Sequence, residues 1–119
     1  SDRTDQKGLL VVASMMYATK LDLFERFATD FLRSTANEPA WFPKLISELR
    51  ECGTLRNKVV HANWMYTNSE GYTQVKIKVG KRGLEHELTQ FTAESLQLII
   101  QKIQSTREQL DYLLMEFLP

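Results

Sequence analysis

The sequence predicts a mainly helical domain: a helical bundle with a small antiparallel β-meander inserted before a long C-terminal helix. Apolar residues recur every three or four positions on both sides of a central segment, residues 64–90, in which the period changes to two. Three of the five glycines, Gly71, Gly80 and Gly83, fall in that segment and concentrate the turns there. The length of 119 residues indicates a single domain, residues 1–119.

Four helices are predicted from the helical spacing of the apolar residues. Their expected ranges are residues 5–18, 20–35, 42–62 and 92–117. Pro39 interrupts the pattern before the third helix, and Pro43 suits the first turn of that helix. Thr92 is the expected N-cap of the last helix, and Glu94 in the first turn interacts favourably with the helix dipole.

The central segment is expected to form three strands. Val75, Ile77 and Val79 alternate with polar residues, which is the pattern of a strand with one face in water. The expected strands are residues 64–67, 72–79 and 84–88. Together they are expected to form a meander. Three strands suffice to stabilise an exposed ribbon that packs on a helix.

Charge and cysteine content exclude several classes of protein. Fifteen Lys and Arg residues balance fifteen Asp and Glu residues, so no bulk positive field holds nucleic acid and any such binding has to be local. The single cysteine, Cys52, cannot form an intrachain disulfide, which is typical of a reducing compartment. The longest apolar run, residues 8–13, is far shorter than a membrane span of about 20 residues. We therefore expect a cytoplasmic domain without membrane contact.

No metal or cofactor site is predicted. Cys52, His61 and His86 lack the spacing of zinc ligands. The sequence also has no glycine-rich phosphate loop, no nucleophile elbow and no paired-histidine zinc motif.

One segment carries candidate chemistry: Arg56-Asn57-Lys58-Val59-Val60-His61, at the expected end of the third helix. Asn57 and His61 are four residues apart and therefore share a face of a helix. Arg56 projects about 100° away from Asn57 around the helix axis. The three polar groups converge on one site if that site spans a wide arc, or if the helix unwinds near His61.

This segment resembles the motif of the HEPN superfamily (higher eukaryotes and prokaryotes nucleotide-binding). That motif is an arginine followed after four to six residues by a histidine, often with Asn, Asp or His directly after the arginine. Arg56, Asn57 and His61 match all three elements. Trp64 and the strand-like insert and long helix that follow it resemble a bacterial group of HEPN-like proteins, so the resemblance extends over most of the chain.

The resemblance implies a metal-independent endoribonuclease of the toxin or defence kind. Active members of the family form dimers in which the two motifs build one composite site. There His61 would act as acid or base in the attack of a ribose 2′-hydroxyl on the adjacent phosphate, and Arg56 would neutralise charge on the phosphorane. Asn57 would orient His61 or the phosphate. The implied partners are an RNA or nucleotide substrate, a second copy of the chain, and an antitoxin or other protein.

Two interpretations of the triplet stay open. In the second one, Arg56, Asn57 and His61 stabilise the C-terminus of a helix, where cationic side chains contribute about 0.3–1 kcal/mol. The protein is then a catalytically inactive HEPN-like interaction or nucleotide-binding module.

A local group of basic residues supplies the candidate RNA-binding side chains. They are Lys58, Lys76, Lys78, Lys81 and Arg82. The alternative is a solvated strand edge, because lysine is a common protection of exposed strands. In that case Glu85 and Glu87 on the next strand pair with the lysines.

Two further expectations concern surfaces. The long last helix has more apolar surface than one small core readily buries, which predicts a symmetric homodimer. Related HEPN-like chains begin with an additional long helix, so we also expect that an N-terminal helix is missing from residues 1–119. An uncovered apolar groove would follow from that absence.

Overall fold

The computed structural model describes residues 2–60, 62, 72–80 and 83–119, and the side chains of residues 17–60, 62 and 91–119. Within these residues the chain forms helices and one β-hairpin, which confirms the mainly helical fold class. The elements are α1 (Asp2–Ser34), α2 (Phe42–Val60), β1 (Tyr72–Gly80), β2 (Gly83–Gln90) and α3 (Ala93–Glu116).

Helix α1 corrects one expectation. The ranges 5–18 and 20–35 were predicted as separate helices, but α1 runs from Asp2 to Ser34 without interruption. The reason is local: Ala18-Thr19-Lys20 contains no proline, glycine or capping pattern that would end the backbone hydrogen bonding. The two apolar stripes therefore belong to one helix.

Helix α1 ends in a Schellman motif at a residue that is not glycine. The N–H of Ala36 donates to the Arg33 carbonyl at 3.1 Å, and the N–H of Asn37 donates to the Leu32 carbonyl at 2.9 Å. Ala36 has a φ of 52°, in the left-handed region that glycine adopts more readily than alanine. Residues 35–41 then connect α1 to α2.

The ends of α2 and α3 lie close to their predicted positions. Helix α2 ends at Val60, two residues before the expected end. Thr92 is the N-cap of α3: its hydroxyl accepts from the Ser95 N–H at 3.0 Å, and the Ser95 hydroxyl accepts from the Thr92 N–H at 2.8 Å. This capping box confirms the expected start of the last helix.

The core lies where α2 packs between α1 and α3. Its buried residues are Leu21, Ala28 and Leu32 of α1, Phe42, Leu45, Ile46 and Leu49 of α2, and Leu113 of α3. Trp41 packs edge-on against Phe117 at one end, with ring centroids 5.6 Å apart. Thr106 of α3 is also buried, and its hydroxyl has no hydrogen-bond partner among the described residues. Helix α2 therefore packs against α1 on one side and against α3 on the other.

Strands β1 and β2 form an antiparallel hairpin with an irregularity between Gln74 and Lys76. The backbone register places Lys76 opposite Glu87 and Lys78 opposite Glu85. The first strand of the expected meander, residues 64–67, lies outside the described residues. The three-stranded meander therefore stays a prediction.

Several large apolar side chains of the helices are exposed. They are Leu23 and Phe27 of α1, Val60 of α2, and Leu98, Ile100, Tyr112, Leu114 and Met115 of α3. Leu98 and Met115 are 65% and 79% exposed, so this chain covers little of either side chain. Helices α1 and α3 thus carry uncovered apolar surface, whereas the missing N-terminal helix stays a prediction.

Candidate functional site

The predicted triplet lies at the C-terminal end of α2. Arg56 and Lys58 are exposed there, and Asn57 between them is half-buried. After α2 the N–H of Ala62 donates to the Val59 carbonyl at 3.4 Å, a three-residue turn that is tighter than the helix before it. His61 lies outside the described residues, so its convergence with Arg56 stays a prediction.

The cations of α2 fall into two groups. Lys44 lies 3.9 Å from Glu48, and Arg50 binds both Asp22, at 2.8 Å, and Glu25 of α1. The hydrogen bond to Asp22 has the largest effect in raising the pKa of Arg50, and the hydrogen bond to Glu25 the next largest. By contrast, no carboxylate of the described residues lies within ion-pair distance of Arg56 or Lys58. The end of α2 therefore offers two exposed positive charges to an anion.

On the α1 side, the segment before Arg56 is held by Tyr17. The Tyr17 hydroxyl donates to the Leu49 carbonyl at 2.9 Å. The edge of the same ring lies against Gly53, so closely that a Cβ on Gly53 would lie 2.6 Å from Tyr17 Cε1. Glycine thus permits an approach of α1 to α2 that no other residue permits, one turn before Arg56.

The pKa of Tyr17 reports its surroundings. Burial raises this pKa above its ordinary value of 10.0, the neighbouring Cys52 thiol raises it further, and the Arg56 guanidinium opposes both by lowering it. Arg56 therefore lies within electrostatic reach of the Tyr17 hydroxyl, although the two residues belong to different helices. The phenol is neutral at pH 7, so it does not neutralise the positive charge of Arg56.

On the α3 side, α2 is held by a second set of contacts. Cys52 is buried, and its Sγ lies 4.0 Å from the Lys102 carbonyl. Lys102 Nζ lies 3.6 Å from carboxylate oxygens of both Glu48 and Glu51. The contacts of Tyr17, Cys52 and Lys102 thus hold α2 on two sides at residues 48–53, directly before the turns that carry Arg56.

Of the remaining candidate RNA-binding residues, two lie on β1 and two lie outside the described residues. Lys76 and Lys78 lie on β1, each opposite a glutamate of β2 as the alternative interpretation expects. Lys81 and Arg82 lie outside the described residues. The hairpin register is therefore compatible with a strand edge at which each of these lysines faces a glutamate of the neighbouring strand. Among the described candidates, Lys58 lies on a helix.

Tyr17 and Gly53 are the residues near the site that sequence reasoning missed. Tyr17 follows Val12, Ala13 and Met16 at helical spacing, so the sequence indicates only a member of an apolar stripe. The signal that points to the contact is Gly53 itself, because a glycine inside a strongly helical pattern usually has a packing reason.

Within residues 17–60 and 91–119, no three His, Cys, Asp or Glu side chains come together as ligands for a metal ion. None of the described helices has both the length and the apolar character to span a bilayer. No family model, no curated protein and no solved structure matches the chain.

Proposed function

We propose that this protein is a metal-independent endoribonuclease of the HEPN type that cleaves single-stranded RNA at a composite site between two copies of the chain. The observation that carries the proposal is the exposed Arg56 at the end of α2, unpaired with any described carboxylate, within a segment whose residue types match the family motif. A guanidinium in this state binds phosphate oxygens through its planar fork.

The reaction needs three groups. The ribose 2′-oxygen attacks the adjacent phosphorus, and its proton passes to a base. The bond from phosphorus to the 5′-oxygen of the next nucleotide breaks, and that oxygen takes up a proton. His61 serves as the proton-transfer residue, Arg56 stabilises the charge that develops on the phosphorane, and Asn57 orients His61 or the phosphate. The products carry a 2′,3′-cyclic phosphate and a 5′-hydroxyl.

Dimerisation is part of the proposal. A two-fold axis near the end of α2 brings together two arginines and two histidines. The exposed apolar side chains of α1 and α3 support a self-complementary interface of roughly 800 Å² or more per partner. Light scattering at micromolar concentration is expected to report a dimer, and a monomer at that concentration contradicts this part of the proposal.

Lys58, Lys76, Lys78, Lys81 and Arg82 are proposed to guide the RNA strand toward Arg56. Replacing both Lys76 and Lys78 by alanine should weaken RNA binding and reduce its dependence on salt, with little effect on the chemical step. A neutralising protein partner would cover the same basic surface.

The proposal is tested by incubating the purified dimer with a varied single-stranded RNA pool in EDTA, and in parallel with DNA of the same sequences. RNA should be cleaved and DNA left intact, because DNA lacks the 2′-hydroxyl. His61→Ala and Arg56→Ala should each lower the rate by about 10²–10⁴-fold, and Arg56→Lys should restore it only partly. Lys44→Ala, which removes an exposed cation at the other end of α2, is the matched control and should cleave normally.

The opposite result identifies the alternative. If the dimer leaves the RNA pool uncut and His61→Ala behaves as the unmodified protein does, the chain is a HEPN-like interaction or nucleotide-binding module. Cleavage that stops in EDTA contradicts the metal-independent mechanism.

A further inference from the structure

Helix α2 has to hold Arg56 at a fixed position if this residue binds the phosphate of a transition state. Arg56 is exposed, and among the described residues no carboxylate holds its guanidinium. Its position is therefore set by the backbone of the last turns of α2. A misplacement of about 1 Å in a catalytic group can lower a rate by about 10²-fold.

Tyr17 contacts that backbone at two successive turns. Its hydroxyl donates to the Leu49 carbonyl, which is also the acceptor position for the N–H of Gly53 in a regular α-helix. Its ring edge fills the space above Gly53 that a side chain would otherwise occupy. The two contacts together fix both the rotation of α2 about its axis and its distance from α1 at residues 49–53.

We propose that Tyr17 is the positioning residue for Arg56, acting through its hydrogen bond to the Leu49 carbonyl and its ring contact with Gly53. This inference rests on the proposed function, because it assigns to Arg56 the phosphate contact of the ribonuclease reaction. Tyr17 itself touches no substrate. It holds α1 against α2 so that the guanidinium projects from the end of α2 in one direction.

The electrostatic reach between the two residues supports the assignment. Among the effects on the pKa of Tyr17, the charge of Arg56 is the one that lowers it, so this charge acts on the phenol across the α1–α2 boundary.

The first experiment is a double-mutant cycle on RNA cleavage under single-turnover conditions. Tyr17→Phe keeps the ring against Gly53 and removes only the hydroxyl. It should lower the rate constant of cleavage about tenfold in the unmodified chain and less than twofold in the Arg56→Ala background, because its effect passes through Arg56. Ser34→Ala, which removes an exposed α1 hydroxyl that also donates to a backbone carbonyl, is the matched control and should leave the rate unchanged. Equal losses in both backgrounds overturn the proposal.

The second experiment does not depend on catalysis. The Nε–Hε signal of Arg56 in a ¹H–¹⁵N spectrum is assigned by its absence from Arg56→Lys, and inorganic phosphate is titrated against it. Tyr17→Phe should move this signal and raise the Kd for phosphate about threefold, whereas Ser34→Ala should do neither.

The two readouts separate the two claims. If no RNA is cleaved but Tyr17→Phe moves the Arg56 signal and weakens phosphate binding, the positioning role stands and the ribonuclease function is wrong. If RNA is cleaved but the Arg56 signal and the phosphate Kd do not respond to Tyr17→Phe, the ribonuclease function stands and the positioning role is wrong.

Discussion

Replacing Gly53 by alanine tests the contact between α1 and α2 without touching any candidate catalytic group. The new Cβ would lie 2.6 Å from Tyr17 Cε1 and 3.0 Å from Cδ1. Carbon atoms in ordinary contact are about 3.5–4.0 Å apart, so the ring has to retreat by about 1 Å. The Tyr17 hydroxyl is bound to the Leu49 carbonyl at 2.9 Å, and a retreat of that size breaks the hydrogen bond.

The change in the free energy of unfolding on Gly53→Ala has one stabilising and two destabilising contributions. Alanine gains about 1 kcal/mol over glycine from helix propensity. Overpacking destabilises by about 1–3 kcal/mol, and the lost hydrogen bond by about 0.5–1.5 kcal/mol. The clash therefore outweighs the propensity gain, and the variant should be less stable by about 2 kcal/mol. For a domain of this size the Tm should fall by about 8 °C.

Thermal and urea unfolding followed by circular dichroism measure this change. The control is the same substitution in a Tyr17→Ala background, where the ring is absent and Gly53→Ala should stabilise the protein by about 1 kcal/mol. A change of sign between the two backgrounds is the expected signature of the contact. If Gly53→Ala stabilises the unmodified chain to the same extent, the close approach of Tyr17 to Gly53 is wrong.

Three further predictions follow from single residues. Ala36→Gly should raise the stability by about 0.5–1 kcal/mol in urea unfolding, because glycine relieves the left-handed backbone at the end of α1; a loss of stability contradicts that conformation. Thr106→Val should stabilise the chain by about 1 kcal/mol by removing a buried hydroxyl that lacks a described partner, and a loss would mean that the hydroxyl has one. The pKa of Tyr17 is raised above 10.0 in the folded state, so the folded chain holds that proton more tightly than the unfolded chain. The free energy of unfolding should therefore fall as the pH rises through 10 toward the folded pKa. Tyr17→Phe should show a shallower fall, and an equal slope contradicts the burial of this phenol.

Features set by local chemistry were predictable from the sequence. The N-cap at Thr92 depends on residues within one turn of it, and the capping box has the expected position. The change of period to two predicts the two strands that pair as β1 and β2. Helix α1 shows the limit of this reasoning: no residue between 18 and 20 breaks a helix, so the predicted break had no physical cause.

Features set by contacts between distant residues were not predictable. Tyr17 and Gly53 are 36 positions apart, and their contact depends on how closely α1 approaches α2. An apolar stripe shows which face of a helix is buried but not which partner residue it meets. The candidate site has the same character: the motif places Arg56 and Asn57 at one helix end, but no local pattern shows which side chains of other elements hold that end in place.

The hairpin register has a consequence for the order in which the chain folds. Only residues 35–41 connect α1 to α2, whereas residues 61–92 separate α2 from α3. The longer connection costs about 1.3 kcal/mol more in loop-closure entropy. Once Tyr72 pairs with Gln90, the part of that connection outside the hairpin falls from 32 to 13 residues, which recovers about 0.8 kcal/mol. We therefore expect α1 and α2 to associate first, and formation of the hairpin to favour the later packing of α3 on α2.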